Sequence, residues 1–155
     1  MNIVSRTATA LAVAASTVAV LAAAAPAASA KPSAAAADGY VYASDLPRMD
    51  GEYCAWSGSD PDWADCKDRD GRLHTMLNRA GSLSNRGYAA TNDDVNFYWG
   101  KGYTGSWACL GQGDSWLNLP AEGHTFTWGV GRRGYRDKIN NNIASHKWVS
   151  YCGSN

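Results

Sequence analysis

Four cysteines, a run of aspartates, one Gly-Asp-Ser triplet and three histidines are the residues of this chain whose types and spacing could do chemistry. Cys54, Cys66, Cys109 and Cys152 form an even set, which in an exported chain reads as a disulfide framework. Three pairings are open. The favoured one joins Cys54 to Cys66 as a local clamp and Cys109 to Cys152 as a tie between a middle strand and the C-terminus. Each closed loop would add about 3–4 kcal/mol by chain entropy. Structural zinc is disfavoured, because the chain has no C-x-x-C or H-x-x-x-H pair to hold a tetrahedral ion.

Asp60, Asp62, Asp65, Asp68 and Asp70 crowd one stretch, and DRDG within it has the flavour of a calcium loop. In EF-hand register the first ligand position falls on Cys66 and the twelfth on Leu77, so a solvated surface loop is expected instead. Gly113-Asp114-Ser115 is followed by Trp116-Leu117, which gives neither a nucleophile elbow nor a Gly-rich oxyanion turn. His74, His124 and His146 stand in no recognisable catalytic frame. The chain is therefore expected not to be an enzyme and to need no cofactor.

These groups must be held by a small exported domain. Arg6 is followed by a long uncharged Ala-rich run, Pro26 and the small residues before Lys31, the parts of a cleavable secretory signal over residues 1–30. Too few Leu and Ile are present for a strong membrane anchor. Arg6 is the only charge in the leader, which leaves 13 basic against 14 acidic side chains and a net charge near −1. That balance offers no footprint for nucleic acid and no polybasic membrane patch. About 125 residues remain, enough for one domain. Seven Trp and eight Tyr among many Gly and Asn, with few Leu, Ile and Val, favour short strands and tight turns.

Residues 31–50 read as a linker, although the YVY within it could add a strand, and the domain is expected over 51–155. Asp94–Trp99 alternates Val95, Phe97 and Trp99 on one face with Asp94, Asn96 and Tyr98 on the other, a two-faced strand. RLHTMLNRA, with Leu73, Met76 and Leu77 at helical spacing, fits a short helix or an irregular connection. Asn78–Leu83 can be laid over Asn141–His146, which suggests two similar halves and puts His146 where the first half has Leu83. Most tryptophans should form the core, while Trp63 and Trp128, in Gly-, Pro- or Asp-rich loops, are candidates for exposed contacts.

Tyr98, Tyr103 and Gly105 within YWGKGYTG follow the spacing aromatic, four residues, aromatic, one residue, glycine. This resembles the folded corner of a βγ-crystallin Greek key, and Asn140–Ser145 resembles the second signature of that family. The endings DVNFYWGKGYTGSWACL and NNNIASHKWVSYC are also similar to secreted bacterial peptidase inhibitors of the metalloproteinase-inhibitor type, built on the same fold. The resemblance covers roughly residues 52–152. It implies an all-β, βγ-crystallin-like double Greek key sandwich with two disulfides that binds an extracellular peptidase. The upstream copy departs from the pattern: Trp56 is followed by Trp63, but Asp65 stands where glycine is expected.

In that family the Asn-rich loop often binds calcium, with a hydroxyl at its fifth position. Ala144 and, upstream, Gly81 occupy that position, and neither can ligate. Asn140, Asn141 and Ser145 are therefore expected to hold a turn rather than a metal. The extra length between Tyr98 and Asn140 implies an inserted loop. Its stretch from about Glu122 to Arg136 is the candidate partner-binding loop, with Phe126, Trp128, Arg132 and Arg133 as candidate contacts beside Trp63. A secreted, monomeric inhibitor that occludes a peptidase is the expectation. A calcium-binding or structural extracellular protein of the same fold is the alternative, and a carbohydrate binder a third.

Overall fold

The computed structural model describes residues 36–154; the leader and its cleavage site lie outside the described residues. Nine short strands carry the fold: β1 (Tyr40–Ser44), β2 (Tyr53–Trp56), β3 (Cys66–Lys67), β4 (Leu73–His74), β5 (Ser82–Arg86), β6 (Asp94–Gly100), β7 (Thr104–Leu110), β8 (Ser115–Trp116) and β9 (Ser145–Val149). One helical turn, α1, spans Leu119–Glu122. The first sheet runs β2-β1-β5-β8 and the second β7-β6-β9, with β3-β4 as a separate hairpin. A bridge from Asp60 to His146 sets the chain after β2 beside β9.

Each half therefore lays down two hairpin-paired strands, sends a third into the opposite sheet, and returns with a fourth beside the first. The Asp60 segment crosses from the first half, and β8 crosses from the second. This is a double Greek key sandwich of the βγ-crystallin kind. Cys54 is bonded to Cys66 and Cys109 to Cys152, with Cα separations of 5.8 and 5.4 Å. The favoured pairing holds.

The supposed linker contains an inner strand. β1 pairs with β2 on one side and β5 on the other, and Val41 and Ala43 have no exposure at all. Ala-rich and Pro-containing flanks hide an alternation only five residues long, so the ordered domain begins ahead of residue 51. The stretch after β4 is irregular rather than helical. Leu73 is 72 % exposed while Met76 is fully buried, so their spacing does not mark one apolar face.

The internal repeat is real at the backbone. Asn78 N donates to Ile143 O (2.9 Å) and Asn141 N donates to Ala80 O (3.1 Å), a reciprocal pair relating the two halves. Both asparagines take left-handed φ, 54° and 58°. Ser145 Oγ accepts from Tyr103 N (3.1 Å) and donates to Gly100 O (2.7 Å). Ser82 Oγ accepts from Met49 N (3.0 Å) and donates to Leu46 O (2.6 Å) in the same way. The first folded corner is thus Ser44–Gly51, with Gly51 (φ 81°) standing for Gly105 (φ 79°) and Met49 for Tyr103. Trp56 and Trp63 do not form it. Only the second corner packs two aromatics, Tyr98 edge-on against Tyr103 with ring centroids 5.8 Å apart.

Trp63 is the centre of the core, with no exposure. It stacks on Trp56 at 4.7 Å and meets Phe97 edge-on at 5.9 Å. Its indole Nε1 donates to His146 Nδ1 (2.9 Å), and His146 Nε2 lies 2.9 Å from Gly58 O, to which it donates in that tautomer. The imidazole is fully buried. Burial pulls its pKa from 6.5 to about 4, against the opposing pull of the Gly58 carbonyl.

Two measurements check this frame. The unfolded chain protonates His146 below its ordinary pKa while the folded chain resists to about pH 4. This contribution is intact above pH 6.5 and declines as pH falls towards 4, by roughly 3 kcal/mol. His146→Leu, the residue of the sister strand, should be less stable at pH 7 but lose most of that slope in urea titrations between pH 7 and 4. Ser145→Ala should cost about 1–3 kcal/mol at pH 7 by leaving Tyr103 N and Gly100 O without their partner; a change within error would contradict the role given to this hydroxyl.

Candidate functional site

The inserted loop between β8 and β9 folds as a hairpin. Thr125 bridges to Lys138, Phe126 N donates to Asp137 O (3.0 Å) and Arg136 N to Phe126 O (2.9 Å). Its outgoing arm extends the second sheet, because Trp128 N donates to Trp107 O (3.0 Å) and Trp107 N to Trp128 O (3.2 Å). The returning arm is tied through Ser106, whose N donates to Arg133 O (2.9 Å) and whose Oγ donates to Gly129 O (3.0 Å). Two guanidiniums lie on aromatic faces beneath, Arg132 at 5.4 Å from the Trp107 ring and Arg133 at 4.9 Å from that of Trp99. Gly134 (φ 79°) leaves room for Trp99, whose ring a Cβ there would overlap. The inner side of the tip is therefore fixed.

Its outer side is free among the described residues. Val130 is 78 % exposed and Trp128 43 %. The C-terminal segment, bonded to β7 through Cys109–Cys152, lies alongside: a Cβ on Gly153 would sit 3.4 Å from the Trp128 ring. Next to it Tyr151 is 63 % exposed. The tip thus presents Trp128, Val130 and Tyr151 together with the exposed side chains of Arg132, Arg133 and Arg136. Val130 and Tyr151 were not singled out in the sequence; their neighbours, two glycines and a disulfide cysteine, were the available signal.

Two candidate contacts are corrected. Phe126 has no exposure and belongs to the core with Leu119 and Ile139, because it is the inward residue at the base of the hairpin. Trp63, read as a loop residue, is the core tryptophan of the crossing segment. Trp128, Arg132 and Arg133 do share the exposed tip.

Most of the other chemical candidates have structural occupations. Ser145, in the Asn-rich signature, uses both its donor and its acceptor at the folded corner. Asn140 O accepts from Asn142 Nδ2 (3.3 Å), and the Asn140 Oδ1 atom is buried without a hydrogen-bond partner. The aspartates of the first half cap their own turns: Asp60 Oδ1 accepts from Asp62 N (2.8 Å), Asp62 Oδ1 from Ala64 N (3.0 Å) and Asp68 Oδ1 from Asp70 N (2.9 Å). Ser115 Oγ donates to Ser84 Oγ (2.8 Å) rather than to a histidine. His124 stacks on Trp116 at 4.5 Å with Glu122 Oε2 3.0 Å from its Nε2.

Among solved structures, one described under the evolution of the eye-lens βγ-crystallin domain fold is similar, at 13 % identity and TM-score 0.49, covering 74 % of this chain and 89 % of that one. A βγ-crystallin from an archaeon is 14 % identical, with TM-score 0.46 and coverages of 71 % and 96 %. A βγ-crystallin from Ciona intestinalis is 13 % identical, with TM-score 0.44 and coverages of 71 % and 99 %. No curated protein matches the chain. Residues 45–110 match a family described as peptidase inhibitor family I36, a family of inhibitors rather than enzymes. The matched stretch runs from the first folded corner through β7, the strand that carries the tip of the inserted hairpin.

Proposed function

We propose that this protein is an extracellular peptidase inhibitor that acts as a monomer and occludes its target with the tip of the 125–138 hairpin. The observation that carries the reading is the contrast between the two sides of that tip. Inside, backbone hydrogen bonds to Ser106 and Trp107 and two stacked guanidiniums hold it. Outside, Val130 is almost wholly exposed and Trp128 shows one side of its ring to solvent. A loop already fixed in one shape loses little entropy when it enters a cleft. Tryptophan and arginine are the residue types that dominate interface energies.

The cationic tip also sets a direction of attraction. Arg132, Arg133, Arg136 and Lys138 lie within one short stretch against a single Asp137, so an active-site cleft with an acidic rim would be approached faster at low salt. The expected leader, the two disulfides and the family match are all compatible with action outside the cell.

The test is a panel of purified secreted metallo- and serine peptidases assayed with the mature protein. Where inhibition is found, Trp128→Ala with Val130→Ala should raise the inhibition constant at least about thirtyfold, the scale of a hot spot, without lowering the melting temperature. Phe126→Ala should instead destabilise the fold by about 3–5 kcal/mol as a buried large-to-small change. Inhibition unaltered by the tip double variant would remove the hairpin from the mechanism.

A further inference from the structure

The outward face of the first sheet, on the other side of β1 from the core, carries a second recess. It has a volume of about 250 Å³ and is lined by Tyr42, Met49, Tyr53, Arg69 and Arg86. Register explains the grouping: Tyr42 is opposite Ala55 on β2 and Ser84 on β5, while Tyr53 and Arg86 come from the ends of those neighbours. The rings of Tyr42 and Tyr53 lie 6.2 Å apart and tilted, forming an aromatic wall.

The two arginines differ in how their charge is met. Arg69 donates to Tyr42 Oη (3.1 Å) and lies 3.6 Å from Asp38, and the Tyr42 hydroxyl in turn donates to Asp38 Oδ2 (2.6 Å). That trio is electrically closed. Arg86 is half-buried with its guanidinium 4.7 Å from the centre of the Tyr42 ring. Its Nε is buried with no hydrogen-bond partner, and no described carboxylate pairs with it. The recess therefore carries one positive charge that rests on an aromatic face and that no described carboxylate neutralises.

We propose that this recess is a binding site for a carboxylate attached to an apolar or aromatic body. The carboxylate would accept from the outer Nη1 and Nη2 end of the Arg86 guanidinium, a fork that fits a planar two-oxygen anion, while the buried Nε stays out of its reach. The apolar body would lie against Tyr42, Tyr53 and Met49. The site shares none of these residues with the inhibitory tip. The carboxylate can come from a free organic acid or from an acidic side chain of a peptide, and the chemistry at Arg86 is the same for both.

The experiment follows the Arg86 Nε–H resonance of the ¹⁵N-labelled mature protein at constant ionic strength, with benzoate, acetate and a blocked glutamyl-leucine dipeptide as probes. A saturable shift with benzoate, weaker with acetate and absent with chloride, is expected. Arg86→Gln should weaken benzoate at least about tenfold, the worth of a charged hydrogen bond, read from the tyrosine ring resonances. Should that variant fail to fold, Tyr53→Ala, which leaves the charge untouched, should lower benzoate affinity several-fold relative to acetate. Tighter binding of the dipeptide than of benzoate assigns the site to peptide carboxylates, and the reverse to free aromatic acids. Shifts that rise linearly with every anion, or that survive in Arg86→Gln, would overturn the proposal.

Discussion

The hydrogen bond from the Trp63 indole to the His146 imidazole joins the two halves where each depends on the other. Trp63 belongs by sequence to the first half but is lodged against β6 and β9 of the second sheet, between Trp56 and Phe97. For that bond to exist, the segment after β2 must cross to the other sheet, and His146 must stay neutral in a fully buried place. The Cys54–Cys66 disulfide sits at the two ends of the crossing. It limits the freedom of the loop that carries Trp63 before the core has formed. With β8 making the opposite exchange, neither half can bury its apolar face alone.

The residues that set the hairpin tip depend on this frame at one remove. β7 is paired to β6, and β6 to β9, so the position of Ser106 and Trp107 is fixed from the core outward. The hairpin then docks by backbone hydrogen bonds to those two residues rather than by a core of its own. Its glycines and arginines are compatible with that arrangement, since the first provide the turns and the second cover the exposed faces of Trp99 and Trp107.

Much of the fold could be read from residue types. The alternation from Asp94 to Trp99, the spacing of Tyr98, Tyr103 and Gly105, and the repeated Asn-to-Ser stretches each correspond to a strand, a corner and a strand entry in the structure. The first corner was misplaced because it conserves the backbone and not the side chains. Ser44 and Met49 stand where the second half has two tyrosines, and left-handed φ at Met49 leaves no mark in hydrophobic pattern. β1 was obscured by its flanks. Trp63 misled for a related reason: proline and aspartates next to a tryptophan suggest exposure, yet those aspartates cap turns that aim the ring inward. Phe126 and Trp128 differ by two positions, which in a strand-like arm should share a face. Phe126 lies over the core at the base of the hairpin, whereas Trp128 pairs with the edge strand β7 just ahead of the left-handed Gly129, and only three-dimensional docking separates the two.

The double anchoring of the hairpin tip bears on what a peptidase could achieve by cutting it. A break between Val130 and Gly131 would create two new ends with Trp128 still bonded to Trp107 on one side and Arg133 still bonded to Ser106 on the other. Both anchors lie on adjacent residues of one strand, β7. The ends would remain neighbours at a high effective concentration, so cleavage would release little chain entropy and resealing would compete with dissociation. A substrate peptide gains freedom when it is cut, whereas this loop would gain almost none.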